Sequence, residues 1–287
     1  MTGETDLSAM AWHPLTTERA CILRGSDALE WLQGQVSQDL RGLEMGEVRY
    51  AAMATATGQV VDVLDIGRIL RGIVVTGQNL SALADRLDRF VIMEDIEAEF
   101  LDSPVWTVQG PRATTLQQQD ATDLGDQIWL RRKRSLAGGW DVIGVEDVRP
   151  LMPQDEFEAE SILSGIPLLG IDTTEKTLVS ELGPDFLADH VSYTKGCYTG
   201  QEVIHRIYAR GKVNKLWVKL NLESFVQAPA SVTLEEKEVG TLLRSGVHAG
   251  MGPVATAMVR REAVESGGVL LAEGVECRLQ GAVTSSR

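Results

Sequence analysis

The sequence predicts an α+β protein, and two patterns along the chain lead to this expectation. Between about residues 47 and 102, two strand-like runs are followed by a third, an amphipathic helix and further strand material. This order is typical of one sheet covered by helices on one side. From Leu216 onward the apolar residues follow a period of two, in five or six short segments divided by glycines, prolines and polar turns. Such a series within about 75 residues is typical of a compact β-barrel or sandwich.

The first pattern begins with residues 48–55 and 60–66, which flank Gly58 and are expected to form a hairpin. Residues 69–76 add a strand. Asn79 then precedes a helix whose apolar residues recur every three or four positions, as on one face of an amphipathic helix. The apolar run at residues 91–93 is expected to be strand material.

The second pattern predicts a C-terminal unit over residues 212–287, distinct from a main region over residues 1–211. Its expected strands are residues 217–222, 231–234, 239–244, 254–260, 269–271 and 275–279. Between the two patterns, Pro153 precedes an acidic helix at residues 155–163 that Gly165 ends. Residues 168–196 carry turn residues and little periodicity, so we expect a long functional loop there.

Composition narrows the classes of function. The 287 residues are enough for two or three packed units, and no apolar run is long enough to span a membrane. Three scattered cysteines predict neither a disulfide framework nor a metal site, and they favour the reducing cytoplasm. The net charge of −14 argues against a nucleic-acid partner, because binding a phosphate backbone requires a basic surface.

Residues 195–215 form a local exception to this acidity, with five basic residues and one acidic residue, Glu202. The basic residues are Lys195, Arg206, Arg210, Lys212 and Lys215. This charge suits a small anionic ligand, and it equally suits a solvated helix with basic residues near its C-terminus. A second basic run, residues 131–134, is expected at an exposed strand or loop edge.

The octapeptide Lys195–Glu202 contains the cysteine with the strongest functional signature. Thr199 and Glu202 have the spacing of a capping box at a helix start, and Gly211 has the position of a helix end. Cys197 therefore lies just before a helix and close to Lys195, two features that favour a thiolate. Buried, inert cysteines are the commoner case, and that reading is assigned to Cys21 and Cys277.

Two acidic residues are candidates for ligand binding. Asp62 lies within an apolar strand, where a carboxylate is costly unless it is paired or faces a cavity. Strand alternation alone slightly favours the alternative that Asp62 faces solvent. Glu181 lies in the expected loop, where acidic residues are common. Motifs for phosphate loops, dinucleotide binding, zinc proteases and esterases do not occur.

The octapeptide Lys-Gly-Cys-Tyr-Thr-Gly-Gln-Glu resembles the signature of the YgfZ family of folate-binding proteins. That family is related to the aminomethyltransferase (T-protein, GcvT) of the glycine cleavage system. Weaker similarities occur in the same order along the chain, at residues 32–40, 54–62, 108–111, 165–167, 240–245 and 257–261. The resemblance therefore covers nearly the whole chain.

The resemblance implies a discontinuous, three-part body around a central opening that holds tetrahydrofolate or a one-carbon derivative, with a C-terminal Greek-key barrel. It implies that Asp62, or Asp65 as the alternative on the same strand, lies near the reacting part of the folate. It also implies that Glu181 binds the pterin and that Lys215 lies where the family has an arginine, with loss of the bidentate contact that arginine offers. The octapeptide and its helix add further candidate folate contacts at Lys195, Tyr198, Gln201, Glu202 and Arg206.

Two hypotheses of function follow from the resemblance. The first is a folate-binding accessory protein for iron–sulfur cluster assembly or repair, with Cys197 as the essential thiol and the assembly machinery or client enzymes as partners. One cysteine does not hold a cluster alone, because such clusters take about four cysteine ligands. The second is a transferase that moves an aminomethyl or methyl unit to tetrahydrofolate and relies on Asp62. The cysteine motif favours the first hypothesis. A third hypothesis is a degenerate folate-binding fold that is used only as a scaffold.

Overall fold

The computed structural model of the chain describes residues 10–280. The chain divides into two compact units. The first comprises the described residues up to Met152 together with Asp189–Gln201, and the second comprises Pro153–Ala188 together with the described residues from Glu202 onward. The division predicted at residues 211 and 212 stays a prediction.

The first unit contains two antiparallel five-stranded sheets and two helices within its described residues. Its strands are β1 (Ala11–Pro14), β2 (Arg19–Arg24), β3 (Val48–Ala54), β4 (Val60–Ile69), β5 (Gly72–Gly77), β6 (Glu97–Leu101), β7 (Val105–Gln109), β8 (Ala121–Leu124), β9 (Gln127–Arg131) and β10 (Gly139–Ile143). Its helices are α1 (Ala28–Gln35) and α2 (Leu80–Phe90). The sheet orders are β1-β7-β10-β9-β8 and β3-β4-β5-β2-β6.

The sheet that contains β3 and β4 confirms the predicted α+β layer. Helices α1 and α2 pack their apolar faces on it, and Leu32, Leu64 and Leu83 are fully buried in the shared core. Strand β2 lies between β5 and β6, so the sheet includes residues outside the 47–102 segment. The apolar run at residues 91–93 is a turn and not a strand, which corrects the sequence-based expectation.

The basic run at residues 131–134 also differs from expectation, because Arg132 and Arg134 are buried. Two of their carboxylate partners, Glu18 and Asp65, come from distant parts of the chain, and the third, Asp141, lies seven residues after Arg134. Arg134 forms ion pairs with Asp141 at 2.7 Å and Glu18 at 3.1 Å, and Arg132 pairs with Asp65 at 3.2 Å. Buried charges require such partners, and none of these partners is a sequence neighbour.

The second unit contains a closed six-stranded barrel and helical segments. Its strands are β11 (Lys215–Leu222), β12 (Ala230–Leu234), β13 (Lys237–His248), β14 (Gly252–Arg260), β15 (Leu270–Ala272) and β16 (Val275–Leu279). The helices of this part of the sequence are α3 (Gln154–Ser164), α4 (Gly183–His190), α5 (Gln201–Arg210) and α6 (Arg261–Glu265). The barrel order β11-β14-β13-β12-β15-β16 places β11 beside β14, which is a Greek-key arrangement.

The barrel confirms the strands that the period-two pattern predicts, each within a few residues. Its interior is filled by small and branched side chains, among them Leu220, Leu242 and Ala257, all fully buried. The long loop expected at residues 168–196 is partly helical, since it contains a 3₁₀ turn at Val179–Glu181 and helix α4. Within residues 10–280, no helix combines the length and apolar character needed to cross a bilayer.

Candidate functional site

Residues 195–200 of the octapeptide form a partly exposed loop in the first unit, and its last two residues, Gln201 and Glu202, begin α5. Gly196 and Cys197 are exposed, whereas Lys195 on one side and Tyr198 on the other are buried. Cys21 and Cys277 are both buried, as predicted for inert thiols, and burial raises the pKa of the Cys21 thiol to about 12. Cys197 is therefore the cysteine whose sulfur a reactant in solution can reach.

The Lys195 ammonium holds this loop against the end of α1. Its Nζ atom donates hydrogen bonds to three backbone carbonyl oxygens, of Gln33 at 2.7 Å, Val36 at 2.6 Å and Gln38 at 2.8 Å. It also lies 4.9 Å from the centre of the Tyr198 ring. An ammonium has three N–H donors, so these carbonyls use its full donor capacity. Burial lowers the pKa of Lys195 to about 8.

The three carbonyls converge because the chain turns sharply after α1. The Gln33 carbonyl belongs to the last helical turn, where carbonyl groups lack intrahelical donors and carry partial negative charge. The Gln33 side chain braces the turn, since its Nε2 donates to Asp39 at 2.9 Å and its Oε1 accepts from the Leu40 amide at 2.6 Å. The Lys195 ammonium therefore stabilises the turn after α1 and joins it to the cysteine loop.

Two further contacts fix the octapeptide and the segment before it. Ser37 Oγ donates to the His190 carbonyl at 2.6 Å and accepts from the Ala52 amide at 2.9 Å, so one hydroxyl joins this segment to β3. Gly200 has a φ of +88°, and a Cβ at this position would lie 2.6 Å from the Thr55 carbonyl oxygen. Only glycine fits such a close approach in a left-handed conformation.

The helix after the loop differs slightly from expectation at its start. Thr199 and Gly200 form a turn and α5 begins at Gln201, whose Nε2 contacts the Lys195 carbonyl at 3.5 Å. Glu202 and Arg206 are exposed on α5. Gly211 ends the helix in a left-handed conformation, and its amide donates to the Ile207 carbonyl at 2.7 Å, as predicted.

Asp62 is fully buried and binds the start of α2. Its Oδ1 accepts from the amides of Val63 at 2.8 Å and Gln78 at 3.1 Å, and its Oδ2 accepts from the Asn79 amide at 2.9 Å. A carboxylate at a helix N-terminus satisfies amides that have no helical partner. Burial nevertheless raises the pKa of Asp62 to about 7. Strand alternation slightly favoured a side chain that faces solvent, and this alternative is wrong because Asp62 is fully buried. Inside the protein its carboxylate oxygens are paired with the three amides.

Asp65, the alternative hairpin aspartate, is buried against Arg132. The Arg132 guanidinium in turn lies 4.3 Å from the centre of the Tyr50 ring. Burial raises the pKa of Asp65, and the neighbouring arginines oppose this shift. Its carboxylate therefore belongs to the ion pairs of the sheet packing described above.

Glu181 and Lys215 come together in the second unit, where both line a cavity of about 520 Å³. Burial raises the pKa of Glu181, opposed by the Leu178 amide, which donates to its Oε2 at 2.9 Å, and by the charge of Lys215. Lys176 and Arg260 also line this cavity. Sequence reasoning missed these two cations, since neither lies in the octapeptide or its helix.

Asp172 fixes the loop at residues 168–178, which precedes the Val179–Glu181 turn. Sequence reasoning also missed this residue. Its Oδ2 pairs with Arg244 at 2.7 Å and accepts from the Leu168 amide at 2.8 Å, and its Oδ1 accepts from Trp217 Nε1 at 3.1 Å. The carboxylate is fully buried, so it holds one wall of the cavity in place. Within residues 10–280, no group of three or more His, Cys, Asp or Glu side chains has the arrangement of a metal site.

Comparison with known proteins relates nearly the whole chain to one set of proteins. No family model matches it. A Vibrio vulnificus protein named tRNA-modifying protein YgfZ is 23% identical, over 76% of this chain and 72% of that protein. A mouse protein named iron–sulfur cluster assembly factor IBA57, mitochondrial, is 24% identical, over 92% of this chain and 82% of that protein.

The crystal structure of the glycine cleavage system aminomethyltransferase T from Bartonella henselae superposes with a TM-score of 0.77 at 15% identity. The match covers 96% of this chain and 86% of that chain. The chain is similar to the YgfZ and GcvT-like proteins. The predicted resemblance is thereby confirmed, and the structural match shows the aminomethyltransferase fold over almost the whole chain.

Proposed function

We propose that this YgfZ/GcvT-like protein is an accessory protein for iron–sulfur cluster assembly or repair that acts through the Cys197 thiol and binds tetrahydrofolate or a one-carbon derivative. The observation that carries the proposal is the exposed Cys197 on a loop whose flanking residue, Lys195, is hydrogen-bonded to three carbonyls. Functional side chains in proteins are held in a fixed position by rigid supporting residues, and the hydrogen bonds of Lys195 would support Cys197 in this way.

The cavity in the second unit supports a folate ligand. The half-buried Glu181 carboxylate has one oxygen engaged by the Leu178 amide, and the other suits the N–H edge of a pterin. Lys176, Lys215 and Arg260 suit the carboxylates of a glutamyl tail. The volume of about 520 Å³ lies in the usual range for small-molecule sites. The donor set therefore fits a folate, and these side chains would bind and orient it.

The name of the mouse relative, an iron–sulfur cluster assembly factor, supports a role in iron–sulfur metabolism. Because Cys197 provides a single sulfur, it would exchange thiols, carry an adduct or share a cluster with the assembly machinery or a client enzyme, rather than hold a cluster alone. The acidic net charge of −14 disfavours direct binding to tRNA, so we expect any effect on tRNA modification to be indirect. Three thiols without disulfides suit a reducing compartment such as the cytoplasm.

A deletion strain tests the proposal. We expect wild type to restore the activity of iron–sulfur enzymes and Cys197→Ala to fail, although Cys197→Ala keeps the melting temperature and folate affinity of wild type. Glu181→Gln should bind tetrahydrofolate at least about tenfold more weakly in calorimetry, because the pterin loses a charged acceptor. Full complementation by Cys197→Ala would exclude the thiol role, and unchanged folate affinity of Glu181→Gln would exclude the proposed ligand site.

A folate-dependent aminomethyl or methyl transferase is the second candidate. The observation that favours it is the structural match to the aminomethyltransferase T of Bartonella henselae, at a TM-score of 0.77. Such an activity would rely on the buried Asp62, whose pKa burial raises to about 7. Such an enzyme would form methylene- or methyltetrahydrofolate from an aminomethyl or N-methyl donor and would not require Cys197. Turnover by Cys197→Ala that is lost in Asp62→Asn would favour this candidate over the accessory role.

A further inference from the structure

The turn that follows α2 exposes two large apolar side chains almost completely. Ile92 is 84% exposed and Met93 is 92% exposed. The apolar residues on either side, Val91 and Ile96, pack against the core of the first unit instead. The run therefore divides into two residues that anchor the turn and two that project from it.

Hydrogen bonds hold this turn in one conformation. The Glu94 carboxylate accepts from the amides of Ile92 at 2.8 Å and Met93 at 3.0 Å. The neighbouring Asp95 accepts from the Ser26 amide at 2.9 Å and donates its own amide to Asp27 at 2.8 Å. A fixed turn loses little conformational entropy when its apolar tip is buried by a partner.

The sequence on either side of the tip carries further exposed apolar side chains and several acidic ones. Phe90, at the end of α2, and Phe100, on the edge strand β6, are 48% and 44% exposed. Between residues 88 and 99 the chain has one basic residue, Arg89, and an excess of exposed acidic residues, which are Asp88, Glu94, Asp95, Glu97 and Glu99. Glu99 is paired with Arg24 of β2, and the other four acidic residues form no ion pair within residues 10–280. Protein interfaces combine apolar residues at their core with polar and charged residues at their rim, and this segment supplies both kinds.

We propose that the Ile92–Met93 turn inserts into an apolar pocket, rimmed by lysine or arginine, on a partner protein. Charge selects this occupant. A membrane surface with anionic lipids would repel this excess of acidic residues, in a chain that already carries a net charge of −14. A second copy of this chain, related by a two-fold axis, would bring the same acidic rim against itself. A basic rim on a different protein is complementary to it.

Site-specific photo-crosslinking in the native host tests the proposal. Benzoylphenylalanine placed at position 92 should give an adduct with one identified protein, and benzoylphenylalanine at position 70 should not. Leu70 is a matched control because it is 82% exposed in another turn of the first unit. The crosslinked peptide of the partner should lie at an apolar pocket with lysine or arginine at its rim.

Binding of the purified partner then gives the quantitative result. We expect Ile92→Ser with Met93→Ser to weaken binding about tenfold or more, and Leu70→Ser to change it less than about twofold. Glu97→Lys should weaken binding and reduce its dependence on salt. All variants should keep the wild-type melting temperature and folate affinity, because these side chains are exposed and lie outside the folate cavity, so the proposal stands or falls independently of the folate proposal.

Three outcomes would overturn the proposal. The first is an equal affinity of the partner for wild type and for the double variant. The second is an adduct with another copy of this chain, together with a sedimenting dimer that the double variant dissociates. The third is binding of the wild type, but not of the double variant, to vesicles of phosphatidylcholine and phosphatidylglycerol.

Discussion

The Lys195 Nζ atom lies 2.6 Å from the Val36 carbonyl oxygen, across a separation of 159 residues in the sequence. This contact joins the cysteine loop to the segment that follows α1. Both segments resemble motifs of the YgfZ family, and in the structure they form one hydrogen-bonded assembly. The loop geometry therefore depends on residues that the sequence places far from Cys197.

Replacing Lys195 should destabilise this assembly. We expect Lys195→Met to lower the free energy of unfolding by about 2–3 kcal/mol, because three carbonyl oxygens lose their donor. Urea denaturation measures the change, and Lys133→Met is the matched control because Lys133 is exposed in the same unit. Equal stability of the two variants would show that the hydrogen bonds of Lys195 contribute nothing to the fold.

Glycine at position 200 should be indispensable, whereas glycine at position 196 should not. A Cβ at Gly200 would lie 2.6 Å from the Thr55 carbonyl oxygen, and a Cβ at Gly196 meets no atom within 4 Å. We expect Gly200→Ala to destabilise the protein by at least about 2 kcal/mol and Gly196→Ala by less than about 1 kcal/mol. Thermal denaturation compares them. Similar melting temperatures would contradict the close approach.

The Asp62 carboxylate should stabilise the start of α2. We expect Asp62→Asn to cost about 1–3 kcal/mol at pH 7, because the new amide group directs N–H donors at the donors of Gln78 or Asn79. Asp85→Asn, at an exposed position of the same helix, is the control. Hydrogen exchange should show faster opening at the first turn of α2 in Asp62→Asn alone, and unchanged protection there would refute this role.

The raised pKa of Asp62 also predicts that the stability of the protein depends on pH. Its pKa is about 7 in the folded protein and near the ordinary 3.8 in the unfolded chain, so the folded state binds more protons between these values. Stability from this group therefore decreases as pH rises from about 4 to about 7, by at most about 1.4 kcal/mol per pH unit, and is constant above.

The stability difference between wild type and Asp62→Asn isolates this effect, because both proteins keep Asp65 and the other acidic groups. The difference should be largest near pH 4 and should shrink toward pH 7. Denaturation in urea at a series of pH values gives it. A difference that is independent of pH would mean that Asp62 titrates normally in the folded protein.

Sequence periodicity predicts much of the fold because local pattern and tertiary packing agree there. The barrel strands alternate between a filled interior and an exterior, and α3 ends where Gly165 adopts a left-handed conformation. The strand predicted at residues 91–93 is wrong for a physical reason. Its composition suits a strand, but β-propensity describes a half-buried surface, and Ile92 and Met93 have no neighbours that would bury them.

The candidate site is less predictable from sequence. The octapeptide identifies Cys197, but the acceptors of Lys195 are backbone carbonyls, which every residue possesses and no side chain reveals. The burial of Arg132 is also hidden in the sequence, because only the packing of the sheets brings its partner Asp65 close to it. Lys176 and Arg260 join Glu181 only because the barrel brings their segments to one cavity.

The different burial of the three cysteines offers a practical tool. A bulky maleimide dye or spin label should modify the native protein once, at Cys197, while Cys21 and Cys277 react only after unfolding. No cysteine has to be removed first. The wild-type chain can therefore carry one spectroscopic reporter beside its candidate reactive centre, and the kinetics of the second and third labelling events would report how often each core opens.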